Sequence, residues 1–286
     1  MGVSGLLEFR KENRPCFTSQ NENNPAMKTP RWTSLLCSLL VALGSLSSAI
    51  SADGDAAKSV KNFPPPKRAT IPKVKGELRI DGKLDEAVWK EAAVLKPFSL
   101  NDGKGPGAEA TEVRIWYDDQ ALYLGWTCVD ADIEATFTQR DSKFWEEEVA
   151  EFFITPTPEN LSRYFELQWN PLGGVFDAII NNELDSNGLS KGIKGDWSFT
   201  AAGMKSSVLV IGTVANPNDR DEQWTAEVKI PFSDLQHAAP KPGEVWRGNF
   251  FRFNRGKGHP AEQLSWSPTL LPSFHEPSRF GYLEFK

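Results

Sequence analysis

The stretch Thr111-Glu112-Val113-Arg114-Ile115-Trp116-Tyr117-Asp118-Asp119-Gln120-Ala121-Leu122-Tyr123-Leu124-Gly125-Trp126-Thr127-Cys128-Val129 decides the fold. Val113, Ile115 and Tyr117 alternate with Glu112 and Arg114 in its first half, and a second apolar run fills Leu122–Val129. A period of two is the mark of a strand with one buried face. Asp118-Asp119 breaks the run where a turn is needed, so the two halves read as neighbouring antiparallel strands.

The same signal recurs along the chain. Strands are predicted over Val149–Thr155, Tyr164–Trp169, Val175–Ile180, Ser207–Val214, Trp224–Ile230, Asn249–Asn254 and Phe280–Phe285, separated by Gly, Pro, Asn and Asp. Helix is scarce: one short helix is expected over Glu86–Ala92 behind Asp85 as N-cap, and another over Phe232–Gln236 after Pro231. No repeat of fixed period is present, which excludes solenoids and propellers. The prediction is an all-β fold, an antiparallel β-sandwich of jelly-roll or immunoglobulin-like type with one or two short helices.

Lys28 and Arg31 precede an apolar run from Trp32 to Leu46, followed by small residues ending Ala49-Ile50-Ser51-Ala52. This reads as a signal peptide over residues 27–52 starting at Met27, with cleavage after Ala49 or Ala52. The run falls short of the roughly 20 apolar residues a transmembrane helix needs. Residues 1–26 read as an extension upstream of the true start, and residues 53–70, with Pro64-Pro65-Pro66, as a proline-rich linker. The folded domain is expected over residues 71–286.

Without residues 1–52 the chain loses five basic and three acidic residues, leaving 27 against 35 and a net charge of −8. That balance excludes nucleic acid and anionic membranes as natural partners. Of three cysteines only Cys128 remains, so no internal disulfide forms and stability rests on the core. His237, His259 and His275 are too scattered for a metal motif, and Met204 is the sole methionine beyond the leader, which leaves haem ligation without support.

Phe144-Trp145-Glu146-Glu147-Glu148-Val149-Ala150-Glu151-Phe152-Phe153 joins the ring pair Phe144-Trp145 to four carboxylates. A ring beside acceptors is what a sugar requires: an apolar face for its C–H groups and partners for its hydroxyls. Alternation places Val149, Glu151 and Phe153 on one strand face and Ala150, Phe152 and Ile154 on the other. Two readings of Glu151 stand, a ligand contact or a structural pair with Arg252; Trp145 is either an exposed stacking ring or buried under a loop. Glu146, Glu147 and Glu148 read as a solvated acidic edge.

Several segments, in order, resemble family 9 of the carbohydrate-binding modules, sandwiches of a DOMON-like type appended to xylanases. They are Ile80-Asp81-Gly82-Lys83-Leu84-Asp85-Glu86-Ala87-Val88-Trp89, Val113–Leu124, the Phe144–Pro156 stretch, Gln168-Trp169-Asn170-Pro171-Leu172-Gly173, Trp224–Phe232, Leu264-Ser265-Trp266-Ser267 and Pro277-Ser278-Arg279-Phe280-Gly281. The resemblance implies a non-catalytic exported domain that clamps a sugar or glycan end between two rings. By motif position it places ligand contacts on Trp145, Glu151, Gln168, Asn170, Arg252 and Phe274. Phe274 stands where the family has Trp, with a smaller face and no N–H donor. The resemblance also implies a poly- or oligosaccharide partner such as xylan, a supporting role in carbohydrate breakdown, and calcium as a structural ion with no assignable ligands here. A standalone binder, secreted or periplasmic and associated with the cell envelope, is the expected setting.

Two other classes compete. One is a structural or interaction sandwich whose clamp has decayed, the reading that Phe274 favours. The other is a glycoside hydrolase, for which carboxylate pairs are the motivation. Against it, Glu148 and Glu151 have opposite strand parity, and no Gly-x-Ser-x-Gly elbow is present.

Overall fold

The computed structural model describes residues 63–286 apart from residue 257. The expectations for residues 1–26 and 27–52, and for most of the linker, lie outside the described residues. Fourteen strands run through the described residues: β1 (Arg68–Ile71), β2 (Ala93–Leu95), β3 (Ser99–Leu100), β4 (Thr111–Tyr117), β5 (Ala121–Val129), β6 (Val149–Thr155), β7 (Arg163–Trp169), β8 (Val175–Leu184), β9 (Ser190–Asp196), β10 (Lys205–Ile211), β11 (Gln223–Pro231), β12 (Val245–Asn254), β13 (Glu262–Ser265) and β14 (Gly281–Phe285).

They form two sheets. The larger has the order β1-β14-β12-β6-β7-β8-β9, with β13 pairing both β12 and β3; the smaller has the order β10-β11-β5-β4-β2. All pairs are antiparallel except β1 with β14. The hairpin that opened the reading is β4–β5, with Thr111 opposite Cys128 and Tyr117 opposite Leu122. An antiparallel sandwich is therefore the fold.

Alternation decides which side chains fill the space between the sheets. Ala150, Phe152 and Ile154 of β6, Leu167 and Trp169 of β7 and Phe250 of β12 are buried in one cluster with Val113, Ile115, Leu124, Trp126, Trp224 and Val228 of the smaller sheet. Trp126 stands at the centre, edge-on to Phe250 at 5.7 Å and tilted against Phe98 at 6.1 Å. Burying each large apolar side chain contributes roughly 1.5–3 kcal/mol. Cys128 is buried here as a free thiol.

Both expected helices are shorter than helices. Residues Ala87–Lys90 form one 3-10 turn, with Glu86 rather than Asp85 at the cap position and no capping side chain. Its geometry is set by tertiary anchoring, since Trp89 is buried and its indole N–H donates to Glu227 Oε1 at 3.0 Å. After Pro231 the chain makes successive i to i+3 turns, Asp234 N to Pro231 O, Leu235 N to Phe232 O and Gln236 N to Ser233 O, and Gln236 at φ 52° ends them.

The linker also ends earlier than expected. Arg68–Ile71 pairs along β14, the Lys67 amide donates to Ser267 Oγ at 3.1 Å, and Arg279 donates to the Pro64 carbonyl at 2.8 Å. Proline lacks an N–H but keeps a good acceptor, so the Pro64–Pro66 segment is held through its carbonyl.

Candidate functional site

The outer face of the larger sheet carries the other half of the alternation. Val149 and Phe153 of β6, Tyr164 of β7, Phe176, Ala178 and Ile180 of β8 and Phe251 of β12 form a second buried cluster with Phe144, Phe274 and Phe280. Between these apolar residues, three polar side chains point the same way. They are Glu151 of β6 with Glu166 and Gln168 of β7, all nearly or fully buried. Register puts Glu151 directly opposite Gln168, while Glu166 lies two residues along β7 from Gln168.

A cavity of about 500 Å³ opens over these three residues. Strand order arranges its walls. Phe253 on β12 and Phe176 with Ile180 on β8 are three strands apart, about 14 Å at the usual interstrand spacing, and the acids and the amide lie between them. Trp145, on the 3-10 turn Phe144–Glu146 that leads into β6, leans over β8 and meets Phe176 edge-on at 5.5 Å. Trp197 follows β9, is 51% exposed, and meets Trp145 at 6.0 Å and Phe176 at 5.7 Å, both edge-on. Gly195 makes room for it: a Cβ there would lie 2.3 Å from Trp197 Nε1.

The floor is short of hydrogen-bond partners. Gln168 Nε2 donates to Glu166 Oε1 at 2.6 Å, but Glu151 Oε1 and Gln168 Oε1 are buried with no partner. Burial pushes the Glu166 carboxyl up to about 8. Burial, and then the neighbouring Glu166, holds Glu151 well above the carboxylate range. At the rim, burial pushes His275 down to about 4, so its ring is neutral; its Nδ1 lies 2.8 Å from Tyr164 Oη.

Four of the six residues expected to contact ligand line this cavity: Trp145, Glu151, Gln168 and Phe274. Trp145 is half-buried, with one edge spent on its neighbours. Phe274 is only 5% exposed, because it stacks on Phe251 at 4.2 Å and tilts on Phe253 at 4.9 Å. It is therefore wall rather than open face. The most exposed ring of the cavity is Trp197.

Asn170 and Arg252 do not line the cavity. Asn170 closes the β7–β8 turn, donating to the Phe137 carbonyl at 2.8 Å and accepting from the Gly174 amide at 2.7 Å. Arg252 has the parity of Phe250 and faces the smaller sheet. There it pairs with Asp130 at 2.8 Å and donates to the Val129 carbonyl at 2.8 Å and to Asn254 Oδ1 at 3.1 Å. The structural pairing of Arg252 with Glu151 is thus excluded, since β6 and β12 register Glu151 against Phe251. The acidic edge also divides. Glu146 is exposed near Lys143 at 3.5 Å and Glu147 accepts from the Thr136 and Phe137 amides, whereas Glu148 is fully buried, its carboxyl pushed up to about 10 by burial and by Asp130.

Trp197, Glu166, Phe176 and Phe253 are among the lining residues that the sequence reading missed. Glu166 was within reach, since it shares the parity of Gln168. Trp197 carried a weaker signal: it ends Lys191-Gly192-Ile193-Lys194-Gly195-Asp196, a run with too few apolar neighbours to bury an indole.

Elsewhere, carboxylate oxygens of Asp81, Glu86 and Glu227 lie within 4.8 Å of one another. Glu227 already accepts from the Asp81 and Gly82 amides and from Trp89 Nε1. Calcium takes six to eight oxygens, and this trio alone falls short of that. No helix among the described residues is long and apolar enough to cross a membrane.

The sequence profile of carbohydrate-binding family 9 matches residues 99–285. No curated protein sequence matches the chain. Among solved structures, a candidate carbohydrate-binding protein from Bacteroides uniformis ATCC 8492 superposes with a TM-score of 0.60 at 22% identity, covering 77% of this chain and 100% of that one. A family 9 module from Caldicellulosiruptor kristjanssonii in complex with cellotriose gives 0.51 at 14% identity over 77% of this chain and 94% of that one. The same module with glucose gives 0.51 at 14% over 76% and 96%. At these identities the likeness carries the fold alone.

Proposed function

Because the chain belongs to carbohydrate-binding family 9, we propose that the cavity on the outer face of its larger sheet binds a sugar or glycan end without cleaving it. The observation that carries this reading is the pairing of an exposed indole, Trp197, with buried unpartnered oxygens on Glu151 and Gln168 in one cavity. A pyranose ring lies its C–H face on the indole and gives its hydroxyl protons to those oxygens. Trp145 and Phe274 wall the space, and Glu166 orients Gln168.

Glu151 and Glu166 stand on adjacent strands of one face, side by side at the floor. Hydrolysis needs an acid and a base or nucleophile on either side of a glycosidic bond. Binding is the chemistry this arrangement suits. The leader at residues 27–52 supports export, and an exported binder of this family fits a supporting role in polysaccharide breakdown at or beyond the envelope. Calcium enters no step of this reading.

The test is calorimetric titration of the protein with xylo- and cello-oligosaccharides, alongside a reducing-end assay. Saturable heat that Trp197→Ala reduces, with no reducing ends released, is expected. Absence of heat for every glycan would leave the interaction-sandwich reading in its place.

A further inference from the structure

We propose that the ligand of this cavity carries a positive charge: an amino sugar with a free ammonium group, as at the end of a deacetylated β-1,4-linked glycan. The inference rests on the reading of the cavity as a sugar site and goes further by fixing the class of sugar.

The first argument is the imbalance of donors and acceptors. The polar lining residues are Glu151, Glu166, Gln168, Gln263, Ser273 and His275, and among the described residues no Lys or Arg lines the cavity. Gln168 Nε2 gives one of its two N–H groups to Glu166 and His275 Nδ1 meets Tyr164, the donors of Gln263 and Ser273 belong to residues that are exposed or half-buried, and at the buried floor Glu151 Oε1 and Gln168 Oε1 lack partners. An ammonium has three donors and no acceptor, which is the complement of that floor once a carboxyl has given up its proton. A hydroxyl in its place would bring lone pairs as well as its one proton.

The second argument is charge. Two nearly buried carboxyls share the floor, with no counter-ion among the described residues, and buried charge is tolerated only when paired. The described cations nearest the cavity are spent elsewhere. Arg255 lies over the Phe253 ring at 5.0 Å and donates to the carbonyls of Trp145 and Glu147, and Arg252 is across the sheet on Asp130. On β8 and β9 the residues facing the cavity are Phe176, Ile180, Ile193 and Gly195, none of them ionisable, and His275 above is neutral. The empty site therefore balances its charge with protons, and a ligand ammonium is the group that can replace them. Trp145, Phe176 and Trp197 also line this space, and a cation seated over an aromatic face is attracted by the ring's electrons.

The replacement balances simply. Seating R–NH3+ against a protonated Glu151 or Glu166 gives a carboxylate–ammonium pair and releases one proton to the buffer.

A matched series tests this on the full chain: the β-1,4 dimer of glucosamine, its N-acetylated counterpart and cellobiose share one ring and linkage and differ at C2. Calorimetry at pH 6 in two buffers of different ionisation enthalpy reads affinity and proton release together. The glucosamine dimer is expected to bind about tenfold tighter than either neutral dimer, an advantage of roughly 1.4 kcal/mol, with a proton released only for it. In Glu151→Gln/Glu166→Gln that ratio should collapse towards one; should this variant fail to fold, the proton release of the unmodified protein decides alone. Cellobiose binding as tightly as the glucosamine dimer, or no proton release, overturns the positive charge and leaves the sugar site standing. Failure of all three dimers and of the xylo-oligosaccharides overturns both.

Discussion

Glu151 on β6 and Gln168 on β7 face one another directly across the sheet, each buried and each holding one side-chain oxygen that has no hydrogen-bond partner. An unpartnered buried acceptor costs about 1–3 kcal/mol relative to a satisfied one. Two in one register pair, beneath an open cavity, mark a surface shaped for something that donates. The rest of the sheet face is packed with rings, so the cost is confined to the place where a ligand can relieve it.

That floor makes folding stability sensitive to pH. Glu166 has a folded pKa near 8, above its ordinary 4.5, and Glu151 is raised as well. Between those values the folded protein binds more protons than the unfolded chain, so stability is fully present below about 4.5 and is lost as pH rises towards 8, at about 1.4 kcal/mol per pH unit for one proton. Melting temperature should fall from pH 5 to pH 8. In Glu166→Gln the fall should be shallower, and an unchanged slope in that variant would contradict the assignment.

Trp197 is the ring whose removal should affect binding and little else. It is 51% exposed and meets Trp145 and Phe176 at steep interplanar angles, outside the buried clusters, so Trp197→Ala creates no core void. Loss of a stacking face removes roughly 1–2 kcal/mol, a drop of about tenfold in sugar affinity. Melting temperature should shift by no more than a few degrees. Phe274→Ala should behave oppositely: Phe274 is packed on Phe251 and Phe253, and truncating it costs about 3–5 kcal/mol of stability.

Gly195 tests whether the placing of Trp197, rather than its presence, matters. An added Cβ would come within 2.3 Å of Trp197 Nε1 and 2.6 Å of Cδ1, so the indole must move. Gly195→Ala keeps every cavity side chain, adding only a methyl to the wall, yet should weaken sugar binding several-fold. Near-UV circular dichroism should report the altered indole environment. Full affinity with an unchanged spectrum would mean that Trp197 lies elsewhere in solution.

The sandwich was legible because its signal is local. Thr111–Tyr117 alternates through Arg114, and Val149–Thr155 is an apolar stretch broken by Glu151 and stopped by Pro156, so the bounds of both in the structure match the reading residue for residue. Parity likewise placed Glu151 and Phe153 on one face and Phe152 on the other. Short or glycine-rich strands such as Ser99–Leu100 and Ser190–Asp196 carry no alternation, since partners rather than side chains define them. The site was half legible for the same reason. Motif position located Trp145, Glu151, Gln168 and Phe274, but which face Arg252 takes depends on counting from Phe250. Trp197 reaches the cavity through the β8–β9 hairpin, a long-range placement that no local pattern encodes.

Arg252 gives the sharpest contrast between the two readings. As a ligand contact, its loss would weaken sugar binding and spare the fold. In the structure it is fully buried between the sheets, bonded to Asp130, the Val129 carbonyl and Asn254, with the raised Glu148 carboxyl close by. Removing one partner of a buried ion pair leaves the other charge uncompensated and costs about 3–5 kcal/mol. Arg252→Met should therefore lower the denaturant midpoint sharply at unchanged m-value, while sugar affinity, measured at a temperature where the variant is folded, stays within twofold of the unmodified protein. A large affinity loss with normal stability would return Arg252 to the binding site and require a different register for β12.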